Sequence, residues 1–127
     1  MKSENKQFNI DELKKIDEAD DLHISPFRED GKTYGTPTWI WAVVVNGDLY
    51  VRAGHGVNSK WYKAAMQQKA GRIHAAGMIK EVTFEPVHDE INNNIDDAYK
   101  KKYGSGADSW AMTGDKVRAA TVKIIPK

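Results

Sequence analysis

Thr38-Trp39-Ile40-Trp41-Ala42-Val43-Val44-Val45-Asn46-Gly47-Asp48-Leu49-Tyr50-Val51-Arg52 is the stretch on which the fold turns. From Thr38 to Val45 both alternating sets are apolar: Trp39, Trp41, Val43 and Val45 on one side, Ile40, Ala42 and Val44 on the other. A half-solvated strand alternates apolar with polar residues, so this one predicts a place inside a barrel or under a helix. Asn46-Gly47 has the residues that tolerate positive φ in a two-residue hairpin, and joins the strand to a second one over Asp48 to Arg52.

Outward from that hairpin, Leu22 to Phe27 alternates in the strand manner, and Arg28 to Gly35 carries the turn signal Asp30-Gly31. Before it, Asn9 can cap a helix with Asp11 and Glu12 in its first turn, Phe8 and Leu13 forming a hydrophobic staple. On the other side a helix opens near Asn58 and runs through Trp61, Tyr62, Ala65, Met66 and Lys69, with Gly71 as its stop. Arg72 to Ala76 and Ile79 to Pro86 read as a hairpin turning at Gly77. A third helix starts at Asp89-Glu90, and Ile91, Ile95, Tyr99 and Tyr103 give it one apolar stripe. Gly104-Ser105-Gly106-Ala107-Asp108 is a loop, and Ala119 to Ile125, stopped by Pro126, suits a closing edge strand.

The expected class is α+β, mainly β: a six-stranded antiparallel barrel with flanking helices. One domain spans 1–127, with an N-terminal helix in 1–20, a helix over 89–103 and a loop over 104–118. Apolar residues make up 40% of the chain and charged ones 29%, a globular balance, and the formal net charge is +1. Near neutrality argues against a duplex-DNA or anionic-membrane binder. The absence of cysteine excludes disulfides, thiolate metal sites and cysteine nucleophiles. The polar N-terminus lacks the apolar core of a secretory signal, and no long apolar run follows, so the expectation is a cytoplasmic protein without a membrane partner.

The most informative stretch for function is Leu49 to Lys60, a strand that enters the glycine-flanked loop Gly54-His55-Gly56 and then a helix start. A helix N-terminus offers unpaired N–H groups and the positive end of the backbone dipole, a seat for an anion. The first and third helices begin with acids, as the dipole favours. The middle one begins with Ser59-Lys60, which opposes it by about 0.3–1 kcal/mol. An anion held among Arg52, Ser59, Lys60 and the loop amides reverses that sign; a Lys60 that simply points into water is the other reading. Phosphate is the expected anion.

Thr36-Pro37-Thr38-Trp39-Ile40-Trp41, the Asn46-Gly47 turn, and Leu49 to Gly54 leading to Ser59-Lys60 resemble the FMN-binding split-barrel superfamily, which includes pyridoxamine-phosphate oxidase-like and deazaflavin-dependent nitroreductase-like proteins. The resemblance covers roughly Leu22 to Pro86 and points to a small family of uncharacterised bacterial proteins. It implies a split barrel, an FMN-like phosphate-bearing flavin held by Arg52, Ser59 and Lys60, and Thr38 and Trp39 beside the isoalloxazine ring. It also implies a homodimer and oxidoreductase activity on a small organic molecule. Ala53, where many relatives carry Ser or Thr, and His55 in the loop depart from the pattern.

Other readings stay open. Trp39 and Trp41 form either a stacking wall or core and interface. His55 is a phosphate or substrate donor, or a solvated loop tip. Trp110 is a ligand lid or a packing residue. His23, His74 and His88 are far apart in sequence with no HxH or HxxxH spacing, so no metal site is expected. Lys100-Lys101-Lys102 reads as a solvated helix end. No hydrolase elbow, P-loop or Rossmann fingerprint is present. The alternative function is a cofactor-free binding or interaction module. Single-stranded nucleic acid, which Arg52, Lys60, Lys63 and Arg72 among aromatics would suit, ranks behind both.

Overall fold

The computed structural model describes residues 8–19, 22–54, 56–88, 90–103 and 114–127. Its helices are α1 (Ile10–Glu18), α2 (Lys60–Gln68), α3 (Ile91–Tyr103) and the short α4 (Asp115–Arg118). The strands are β1 (Leu22–Pro26), β2 (Thr38–Ile40), β3 (Ala42–Val45), β4 (Asp48–Arg52), β5 (Ala70–Ala75), β6 (Met78–Pro86) and β7 (Thr121–Pro126). They form one antiparallel sheet in the order β2-β1-β5-β6-β7-β4-β3. Its two outermost strands, β2 and β3, are consecutive in the chain and separated only by Trp41, so the sheet curls into a nearly closed barrel.

That bend makes the strand count seven, where the sequence suggested six. The continuous strand expected over Thr38–Val45 breaks at Trp41, because its first half pairs with β1 and its second with β4. Side chains of α3 satisfy the backbone at the corner. Tyr99 Oη donates to Trp41 O at 2.8 Å, Lys102 Nζ donates to Ala42 O at 2.8 Å, and the Tyr103 hydroxyl accepts from Ala42 N at 3.2 Å and lies 3.1 Å from Ala42 O. Lys102 is therefore a structural donor and not part of a solvated helix end.

The double burial read over Thr38–Val45 fails at Thr38 and Trp39, which are exposed on β2, and holds over Ala42–Val45, where it separates two cores. Ile40, Ala42 and Val44 face the barrel interior with Ile24, Leu49, Val51, Ile73, Phe84 and Val122. Val43 and Val45 face α3, whose Ile91, Ile95, Tyr99 and Tyr103 form the expected stripe. Trp41 joins this second core by stacking on Tyr103, ring centroids 4.1 Å apart and planes 3° from parallel. Each such side chain removed from water contributes roughly 1.5–3 kcal/mol, which explains how a helix with a narrow apolar stripe is held.

Local signals place the remaining elements with a few shifts. Asn9 caps α1 in a capping box with Glu12, and both Phe8 and Leu13 are buried. Asn46-Gly47 and Ala76-Gly77 take positive φ at both positions, as two-residue hairpins require. The cap of α2 is Ser59, with Asn58 in a preceding 3-10 turn over Gly56–Asn58. The same helix ends at Lys69 in the left-handed region, φ 59°, and not at Gly71. Gly71 instead lies in β5, where a Cβ would sit 2.4 Å from Ser25 O. Among the described residues α3 starts at Ile91, with Glu90 O accepting from Asn93 N at 3.1 Å; Asp89 lies outside them. Residues 115–118 of the expected loop are helical, and the Gly104–Asp108 segment is outside the described residues. β7 is interior, between β6 and β4, not an edge: Pro126 stands at its last position, so only one ladder donor is lost there. No described helix is long and apolar enough to cross a membrane.

Candidate functional site

Three adjoining depressions meet at Lys60, at the N-terminal end of α2. One, of 580 Å³, is lined by Thr38, Trp39, Ile40, Gly54, Asn58, Ser59, Lys60 and Trp61. The next, of 250 Å³, shares Thr38, Lys60 and Trp61 and adds Arg28, Thr36 and Ala64. The third, of 590 Å³, carries on past Arg28 and Lys60 to Lys63 and Gln67 and is also lined by Glu29 and Asp30. Together they make a groove with an aromatic end at Trp39, threonine hydroxyls at its middle and charges of both signs from Lys60 outward, Arg28, Lys60 and Lys63 facing Glu29 and Asp30.

Local sequence builds each wall. The Arg28–Gly35 hairpin folds back on β1 through Arg28 N to Thr33 O and Gly35 N to Pro26 O, both 2.8 Å, with Phe27 stacked on Tyr34 at 4.9 Å. Asp30 holds its turn by accepting from the Thr33 hydroxyl and from the amides of Thr33 and Lys32, at 2.8 and 2.9 Å for the amides. Those hydrogen bonds, the Thr33 hydroxyl foremost, lower its carboxyl to about 2. Arg28 in turn lies 3.3 Å from the Thr36 hydroxyl. At the other wall the 3-10 turn carries the chain into α2, with Ser59 N donating to Gly56 O at 3.1 Å.

The α2 N-terminus has the charge pattern expected of an anion seat. No acid lies in its first turn, and the helix itself gives the amides of Lys60, Trp61 and Tyr62 no carbonyl partner. Ser59 is 7% exposed and makes no side-chain cap, and its Oγ has no hydrogen-bond partner among the described residues. Burial raises the Tyr62 phenol, keeping it neutral.

The structure brings Thr38, Trp39, Ser59 and Lys60 together, and it does not bring Arg52 to them. Arg52 is fully buried on the α3 side of β4. Its guanidinium pairs with Asp96 Oδ1, donates to Asn92 O at 3.1 Å and Asn92 Oδ1 at 2.9 Å, and reaches Thr121 Oγ1 at 2.9 Å through Nε. The convergence of Arg52 with Lys60 read from the sequence is thus corrected. β4 ends with Arg52 turned toward a carboxylate on α3, which sequence proximity to Ser59 could not reveal. His55 and Trp110 lie outside the described residues. Trp39, 53% exposed, meets Trp41 edge to face at 6.2 Å; of this pair only Trp39 lines the groove, where Trp61 lies beside it.

Sequence reasoning missed Arg28, Thr36 and the groove beyond them. Their signal, the Asp30-Gly31 turn, was visible, but its direction over β1 was not. Among the described residues no group of three or more histidine, aspartate or glutamate side chains is placed to hold a metal.

Residues 12–124 match the family described as "Uncharacterized protein conserved in bacteria (DUF2255)". Among curated proteins no sequence matches. The crystal structure of conserved hypothetical protein Rv2991 from Mycobacterium tuberculosis is similar with a TM-score of 0.61 at 13% identity, covering 98% of this chain and 83% of that chain. At that identity the likeness is one of fold.

Proposed function

The chain belongs to the DUF2255 family of uncharacterised bacterial proteins, and we propose that its groove at the head of α2 binds a phosphate-bearing aromatic cofactor of the flavin class, FMN first, making it a small oxidoreductase. The observation that carries this reading is Ser59: a buried hydroxyl with no hydrogen-bond partner among the described residues, at a helix N-terminus whose first residue is a lysine. An unpartnered buried oxygen costs about 1–3 kcal/mol. A lysine at that position opposes the dipole by about 0.3–1 kcal/mol. A bound phosphate turns both contributions favourable.

The residues fit such a group. Ser59 Oγ, the Lys60 ammonium and the first-turn amides would hold the phosphate, and Thr38 and Trp39 would border the ring; further out Arg28 and Lys63 are offset by Glu29 and Asp30. Arg52 takes no part. The flavin supplies the redox chemistry when bound, so the chain needs only to bind and orient it. The superfamily resemblance supports the reading, and the homodimer belongs to the same proposal.

Titrating FMN against the protein, with fluorescence quenching and thermal shift as readouts, tests it. Expected is saturable quenching that weakens at least tenfold in Lys60→Ala. A colourless protein that neither quenches FMN nor gains thermal stability from it overturns the flavin reading. The cofactor-free binding module then remains, a reading favoured by Ala53 and by the engagement of Arg52 with Asp96.

A further inference from the structure

Two histidines that lie far apart in the chain face each other on the sheet. In the β1–β5 pairing His23 is directly opposite His74. Burial along β5 alternates, with Gly71, Ile73 and Ala75 buried and Arg72 and His74 half-buried, and on β1 Leu22 and Ile24 turn inward. Both imidazoles therefore project from the outer face, on the side away from the barrel core. Directly opposed residues have Cβ atoms about 4.5–5.5 Å apart, close enough for two rings to reach one point. Both line the same 320 Å³ depression at the Ala76-Gly77 turn. His74 Nε2 is shielded from solvent and has no hydrogen-bond partner among the described residues.

We propose that His23 and His74 form a two-imidazole chelate for a divalent transition ion of the Zn²⁺, Ni²⁺ or Cu²⁺ class. Imidazole nitrogens bind such ions at about 2.0–2.1 Å. The ladder between β1 and β5 fixes the backbone of both donors before the ion arrives, so binding has only their side-chain torsions to order. Among the described residues no carboxylate lines the depression, so the donors on hand are imidazoles, which suit transition ions better than hard Ca²⁺ and Mg²⁺. Two protein donors leave further positions of the ion open at the surface. The site is independent of the α2 groove and stands or falls separately from the flavin reading.

Zn²⁺ titrated into the protein at neutral pH, followed by calorimetry and by imidazole ¹H–¹⁵N correlation spectra, tests the proposal. Expected is one ion per chain, with the ring nitrogens of His23 and His74 perturbed and those of His55 and His88 unchanged. His23→Gln and His74→Gln should each weaken binding at least tenfold while keeping the metal-free melting temperature near that of the parent. Lys60→Ala should leave it intact, and excess Mg²⁺ should not compete. Affinity unchanged in either histidine variant, perturbation confined to His55 or His88, or no heat of binding overturns the proposal. Should a variant lose its fold, the spectra of the unmutated protein decide alone.

Discussion

Arg52 on β4 and Asp96 on α3 form an ion pair in which the guanidinium is fully buried and the carboxylate, 14% exposed, is partly buried. Thr121 Oγ1 accepts from Arg52 Nε and lies 2.9 Å from both Asn92 Oδ1 and Arg118 O, to one of which it donates. Arg118 closes the network, 3.2 Å from Asp96 Oδ2 and 2.9 Å from Asn93 Oδ1. The guanidinium also sits 5.6 Å from the centroid of the Tyr99 ring. One network thus ties β4, β7, α3 and α4 together.

Removing one partner leaves a buried charge. Asp96→Ala is expected to cost about 3–5 kcal/mol, whereas the apolar double variant Arg52→Met, Asp96→Leu should cost much less, since the charge goes with its partner. Urea unfolding of the three proteins checks this. Equal losses in the single and double variants would show that the pair is not what holds α3.

At the barrel corner the Tyr103 hydroxyl serves both backbone groups of Ala42. Tyr103→Phe keeps the stacking on Trp41 and deletes only those bonds, so it is expected to cost about 1–3 kcal/mol. Hydrogen exchange should quicken first at the Ala42 amide. Unaltered exchange there would mean that the bend between β2 and β3 holds without α3.

Much of this architecture could be read from local chemistry. Asn46-Gly47, Gly77, the Asn9 cap and the Ile91-Ile95-Tyr99-Tyr103 stripe each act over a few residues, and each falls where its pattern puts it. What escaped was set by partners distant in sequence. Arg52 looked like a co-ligand with Lys60 for one anion because the two are eight residues apart; its partner Asp96, 44 positions from Arg52, decides its direction. The break at Trp41 needs α3, and the His23–His74 pair needs a register that no spacing encodes. The acid-free first turn of α2 with Lys60 at its head was legible because capping and dipole are local effects.

The Arg28–Gly35 wall of the groove has its own pH dependence. Asp30 has a carboxyl lowered to about 2 by its hydrogen bonds to Thr33 and Lys32, against an ordinary 3.8. A depressed carboxyl contributes stability that is present above the ordinary value and lost as pH falls toward 2. The Thr33 and Lys32 amide resonances are expected to hold steady down to about pH 3 and to move together with the Asp30 carboxyl below it. An Asp30 titration midpoint near 4 would show that the turn is not held this way.

Gly71 is constrained by space and not by φ. A Cβ there would meet Ser25 O at 2.4 Å and Pro26 Cα at 2.6 Å, both backbone atoms that cannot step aside without separating β1 from β5. Gly71→Ala is expected to destabilise by about 1–3 kcal/mol, as overpacked sites do. It should also weaken Zn²⁺ binding, because the His23–His74 register lies on the same ladder. A neutral melting temperature would mean that the strands part at no cost.

Ser59 separates a binding role from a structural one. Because its hydroxyl neither caps α2 nor finds another partner among the described residues, Ser59→Ala removes a buried unsatisfied oxygen. The unliganded variant is expected to be as stable as the parent or more stable by up to about 1 kcal/mol, the opposite of the loss that replacing a working N-cap produces. Affinity for FMN, or for inorganic phosphate as the minimal probe, should fall at the same time. Stability lost with affinity unchanged would make Ser59 an ordinary cap and remove the strongest support for a phosphate at the head of α2.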